Sequence, residues 1–131
     1  IQVAAATALN GDSDCIIKIR ETYKKRRNTL INSMSRIGWE IPSPDATMFA
    51  WAPLPKSFTE LGSMNFSKIL LNEASVAVSP GIGFGEYGEG FVRLSLVENE
   101  HRIRQAARGV KKIFDNPKYY LDKFYSENKI N

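Results

Sequence analysis

Residues 76–97 read VAVSPGIGFGEYGEGFVRLSLV, and the fold follows from how this stretch divides. A β-branched run meets the break Ser79-Pro80. Five glycines then alternate with bulky residues before a second apolar run that holds one charge, Arg93. The pattern predicts two strands, residues 76–79 and 91–97, on either side of a glycine loop. In the second strand the two-residue alternation sets Val92, Leu94 and Leu96 on one face, and Phe91, Arg93 and Ser95 on the other. The aliphatic face belongs against a core. Arg93 therefore points away from it, toward solvent or a partner domain.

Within the loop, Gly83-Phe84-Gly85-Glu86-Tyr87-Gly88 satisfies G-x-G-x-x-G letter for letter. That fingerprint holds a pyrophosphate where the loop opens directly into a helix, whose N-terminus faces the anion. Here Pro80 breaks the chain before the loop and a strand follows it, so the nucleotide reading is rejected. What remains is a loop that needs glycine-only backbone angles, or close approach by another chain or a ligand. Arg93 has two readings from pattern alone. A guanidinium grips a carboxylate through two parallel hydrogen bonds, which lysine cannot reproduce. An outward strand arginine paired with Glu86, Glu89 or Glu98 accounts for it as well.

Outward from this stretch, the helical spacing of Phe66, Ile69, Leu70 and Ala74 predicts a helix over 65–75, with 56–63 as loop. Residues 47–52, TMFAWA, read as a strand that Pro53 and Pro55 terminate. Residues 1–9 are Ala-rich and helical, stopped by Asn10-Gly11. Asp12, Ser13 or Asp14 then caps a long helix to about Ile37, closed by Gly38. Its apolar stripe is Ile16, Ile19, Tyr23, Leu30, Met34 and Ile37, with basic residues opposite. On the other side Asn99 caps a helix whose core face is Ile103, Ala106, Ala107, Val110 and Phe114, ended by Asn116-Pro117. Residues 118–131 form a short terminal helix or fray. The expected class is α+β: a small, mostly antiparallel sheet with helices packed on one face, preceded by a long helix.

The chain has 131 residues, 43% hydrophobic and 24% charged, which suits one domain with a core of its own. It contains no apolar run of the about 18 residues that a membrane span needs, so no membrane partner is expected. The first residues, IQVAAATALNGD, carry neither a basic head nor a long apolar stretch, so no signal peptide is expected. They also begin in mid-pattern without Met, and the chain is read as a piece of a longer protein. Cys15 is the single cysteine, which rules out an internal disulfide and fits a cytoplasmic location. It reads as a small apolar helix residue, inert as buried free cysteines are. No metal site is expected.

The net charge is +4, and its densest point is Lys24-Lys25-Arg26-Arg27. With no groove-reading motif and no interleaved aromatics, this run reads as a solvated helix face, and no nucleic acid is expected as partner. His101, the one histidine, belongs to an exposed first turn. Lys68 falls on the wet face of its helix rather than in the desolvated pocket a Schiff-base lysine needs. Phe49, Trp39 and Trp51 read as core or domain-interface aromatics.

Several segments, in order, carry a family likeness. VAVSPGIGFGEYGEGFVRLSLVENEHRIRQAARGVKKI resembles the C-terminal end of the class I/II, fold-type I pyridoxal-phosphate aminotransferases, nearest to the alanine (glutamate–pyruvate) and LL-diaminopimelate branch. The likeness extends through PDATMFAWAPLP and IRETYKKRRNTL back to IQVAAATALNG, over about residues 1–114. It implies that residues 1–12 are a remnant of the large-domain C-terminal helix, that 13–131 are the C-terminal small domain, and that the long helix over 14–37 is the interdomain helix. Arg93 then matches the arginine that grips the substrate α-carboxylate, with the loop at 79–90 bordering the active-site entrance.

The resemblance further implies amino-acid and 2-oxo-acid substrates of the alanine/glutamate–pyruvate type, the missing large domain of the same chain as partner, and a homodimeric parent. Pyridoxal 5'-phosphate is the implied cofactor of that parent. Its lysine and phosphate-binding residues would lie ahead of residue 1, so the piece alone is expected to bind no cofactor and to be inactive. The alternatives are an LL-diaminopimelate or aspartate aminotransferase, or a stand-alone α+β binding module that uses the basic helix face.

Overall fold

The alternation read in residues 91–97 places the core. Val92, Leu94 and Leu96 are buried, Phe91 and Ser95 are exposed, and Arg93 is half-buried. The computed structural model describes residues 1–12 and 14–128, so Ser13 as a helix cap lies outside the described residues. Its elements are α1 (Gln2–Asn10), α2 (Asp14–Ser35), β1 (Phe49–Pro53), a 3-10 segment (Lys56–Leu61) and α3 (Gly62–Ala74). There follow β2 (Ser79–Pro80), 3-10 turns at Gly81–Phe84 and Glu86–Gly88, β3 (Phe91–Ser95), α4 (Glu100–Asp115) and α5 (Pro117–Asn128).

The three strands form an antiparallel sheet in the order β1-β3-β2. Trp51 and Ser79 flank Arg93 on the two sides, and Pro80 pairs with Val92 at the edge, where a missing N–H is tolerated. Ala50 and Ala52 join Val92 and Leu94 on the buried face, where β3 and β2 meet α3. Each fully buried Val or Leu side chain there contributes about 1.5–3 kcal/mol. Behind them lies an aromatic cluster. Trp39 meets Phe66 edge-on at 5.8 Å and Phe114 at 5.5 Å, while its Nε1 donates to the Pro53 carbonyl at 2.8 Å.

Three expectations shift, each for a physical reason. The strand expected at 76–79 is reduced to Ser79–Pro80, because Ser75 adopts a left-handed φ of 54° and closes α3. There the N–H of Val76 is spent on Leu70 O, so it cannot join a ladder. The strand expected from Thr47 begins at Phe49, since Thr47 itself has φ 74°. The region expected as loop at 56–63 is a 3-10 segment burying Phe58 and Leu61, and α3 starts at Gly62 rather than 65. Of the two readings of the terminal segment the described part takes the helical one, α5, docked by the buried Phe124 and by Lys123, whose Nζ lies 2.7 Å from Glu73 Oε1.

The long helix matches its expected span, but its stripe is covered along only half its length. Leu30 and Met34 are buried, whereas Ile16 and Ile19 are 58% and 55% exposed. The basic run is likewise only half solvated. Lys24 and Lys25 are exposed, but Arg26 donates to the carbonyls of Leu96 (3.1 Å) and Val97 (2.7 Å), and Arg27 to that of Pro44 (3.1 Å). These two arginines fasten α2 to the end of β3 and to the loop before β1. In α4 the Asn99 side chain accepts from Arg102 N at 3.0 Å as a cap. Ile103, Ala107 and Val110 are buried as expected, joined by Ile113, while Ala106 and Phe114 are only partly covered.

Candidate functional site

With one sheet face sealed by helices, the functional residues lie on the other. There Phe49, Trp51, Phe91, Arg93 and Ser95 project from β1 and β3, and the glycine loop folds back over them. The guanidinium carbon of Arg93 lies over two rings, 4.1 Å from the Phe49 centroid and 4.3 Å from that of Phe84. Trp51 touches Phe84 and Phe91 edge-on, at 5.4 and 6.3 Å. A groove of about 450 Å³ runs alongside, between the 42–47 loop and Phe49, Trp51 and Phe91, and Arg93 is the one charged side chain in its wall.

Pairing of Arg93 with Glu86, Glu89 or Glu98 was the alternative to a binding role. Among the described residues Arg93 makes no ion pair and no hydrogen bond through its guanidinium. Glu89 is instead committed elsewhere. Its Oε1 accepts from the backbone N–H of Ser63 (2.6 Å) and of Gly90 (2.9 Å), and its Oε2 from Ser63 Oγ (3.0 Å). The Gly90 and Ser63 amides, in that order, hold the Glu89 carboxyl below its ordinary 4.5 against the opposing pull of burial. Ser63 stands in the first turn of α3, so Glu89 caps that helix from across the sequence. Glu86 and Glu98 are exposed. A cation held in place with no partner of its own is equipped to take a carboxylate from outside.

The glycines serve the loop's fold. Gly85 (φ 109°) and Gly90 (φ 84°) occupy backbone angles that side chains rarely adopt. Gly81 and Gly88 press backbone to backbone, and a Cβ on either would overlap the other's carbonyl. The close approach expected of the loop is therefore made to itself.

Sequence reasoning missed Phe84, Phe49 and Glu89 as companions of the site. Phe84 sits in a segment without periodicity, and Glu89 acts through a helix start 26 residues away. The other candidates lie apart from the face. His101 and Lys68 are exposed on helices, and Cys15, expected to behave as a buried thiol, is exposed on α2. Trp39 is in the core and Trp51 on the open face, which divides the aromatics read as core or interface. Among the described residues no three His, Cys, Asp or Glu side chains cluster as a metal site, and no helix is long and apolar enough to cross a membrane. The described lysines are exposed, except Lys123, which is ion-paired to Glu73. None stands in the desolvated pocket that a Schiff-base amine requires.

Comparison with known proteins gives a consistent result. The family model described as aminotransferase class I and II matches residues 1–110. The chain is 51% identical over 114 residues to the glutamate-pyruvate aminotransferase AlaC of Escherichia coli (strain K12), covering 87% of this chain and 28% of that protein. It is 38% identical over 113 residues to the LL-diaminopimelate aminotransferase of Syntrophobacter fumaroxidans, covering 86% and 28%. Among solved structures, the aromatic aminotransferase from Pyrococcus horikoshii OT3 superposes with a TM-score of 0.79 at 29% identity, over 89% of this chain and 31% of that one. The chain thus spans less than a third of the length of these relatives.

Proposed function

Because this chain belongs to the class I and II aminotransferase family, we propose that it forms the substrate-carboxylate-binding part of an enzyme that moves an amino group between an amino acid and a 2-oxo acid. Arg93 takes the α-carboxylate. The observation that carries this reading is a half-buried guanidinium resting on two aromatic rings at the wall of an open groove, without a carboxylate partner among the described residues. Two charge-assisted hydrogen bonds to a carboxylate are worth about 1.5–3 kcal/mol each, enough to fix the substrate's orientation. The glutamate–pyruvate type is favoured, on 51% identity to AlaC against 38% to the LL-diaminopimelate enzyme.

The family depends on pyridoxal phosphate, which supplies the electron sink for amino transfer. The described lysines, exposed or ion-paired, do not fit the cofactor's requirement for a desolvated amine, so they are given no part in holding it. The remainder of the enzyme is assigned that task. In the same reading α1, which buries none of its own residues, and the uncovered half of α2 pack against that remainder. A nucleic-acid-binding module is disfavoured, because Arg26 and Arg27 are spent on carbonyls of the same chain.

The test is the kinetics of Arg93→Lys in the intact enzyme. Lysine keeps the charge and loses the fork, so KM for the amino acid is expected to rise about 10- to 100-fold. Unchanged KM would remove Arg93 from this role.

A further inference from the structure

We propose that Phe84 is a positioning residue for Arg93, and that Glu89 keeps it there by pinning the glycine loop to the start of α3. The proposal rests on the reading of Arg93 given above. Arginine is long and rich in rotamers, a freedom that a substrate must otherwise remove on binding. Resting the guanidinium on two rings removes part of that freedom beforehand. Phe49 comes with the sheet itself, as the neighbour of Trp51 along β1 by two residues. Phe84 has to be delivered by the loop.

The delivery is visible in the hydrogen bonds. Both ends of the loop are tied to one residue, the fully buried Ser63. Near the start, Ile82 N–H donates to Ser63 Oγ at 3.1 Å. At the end, the Glu89 carboxylate accepts from Ser63 N and Oγ and from Gly90 N. Between the ties the chain is wound tightly, with Gly85 N–H on Ile82 O (3.1 Å) and Gly88 N–H on Gly85 O (2.9 Å). The one large side chain this arrangement presses onto Arg93 is Phe84. Phe84 is 49% exposed, so its placement is not explained by filling the core.

Steady-state kinetics of the intact enzyme tests this. Phe84→Leu keeps apolar bulk and removes the π face. It should raise KM for the amino acid about 3- to 30-fold with kcat within about twofold, and Phe84→Tyr should restore KM. Glu89→Gln, near-identical in shape, should move KM in the same direction by loosening the loop. In an Arg93→Ala background Phe84→Leu should add nothing further, because its effect passes through the guanidinium. Independent, multiplying effects in that double variant would overturn the proposal, as would a Phe84→Leu enzyme with unchanged KM. If Arg93→Ala raises KM while Phe84→Leu does not, the positioning role alone fails. If Arg93→Ala itself leaves KM unchanged, the carboxylate reading fails first and this proposal with it.

Discussion

Glu89 is an exposed carboxylate that the fold nevertheless uses as an internal anchor, with three donors from Ser63 and Gly90 around it. Because its folded pKa lies below the ordinary 4.5, the unfolded chain takes up the proton first as pH falls. The stabilisation is therefore present above about that value and lost as pH drops through the lower folded pKa. Glu89→Gln should melt below the parent protein at pH 7, and the gap in Tm should close under acid conditions. A gap independent of pH would show that the carboxylate's charge is not what anchors the loop. Much of Arg93's setting was legible from residues alone: alternation with Val92 and Leu94 gives its direction, and the family likeness suggests the role proposed for it. Its ring contacts were not. Phe84 reaches it through a loop whose path depends on Gly81 meeting Gly88, a contact that no local spacing announces.

Helix starts and stops show the same division. Asn99 caps α4 through its own side chain, three residues from the N–H it satisfies, and was readable as such. Asn99→Ala should cost about 1 kcal/mol of stability, seen as a lowered unfolding midpoint, with KM unaltered because the cap lies away from the open face. The start of α3 was misplaced because its cap is Glu89, which arrives only after the chain has made its loop. Residues 76–78 have the composition of a strand. The left-handed turn at Ser75 nonetheless draws the N–H of Val76 back onto the helix. The sheet is thereby left with a two-residue edge strand, and most of its hydrogen bonding falls to β1 and β3.

Taken whole, the molecule is covered unevenly. Ile16, Ile17 and Ile19 are 58%, 49% and 55% exposed along the first turns of α2, and Val3 and Leu9 of α1 are more exposed still. Apolar surface arranged in this way marks an interface. Produced alone, the 131-residue chain should self-associate in sedimentation velocity. Replacing Ile16 and Ile19 by lysine should shift it toward monomer. Persistent association of that variant would locate the adhesive surface elsewhere. The sheet offers a second uncovered area, and there the two tryptophans part company. Trp39 is 2% exposed, locked to Phe66 and the Pro53 carbonyl, whereas Trp51 is 41% exposed and leans on Phe84. The molecule consequently carries two separate optical reporters. Trp39, being buried, should emit in the blue and follow the integrity of the core. Trp51, being open to solvent, should emit further to the red, be quenched by acrylamide, and follow the loop and whatever comes to lie beside Arg93.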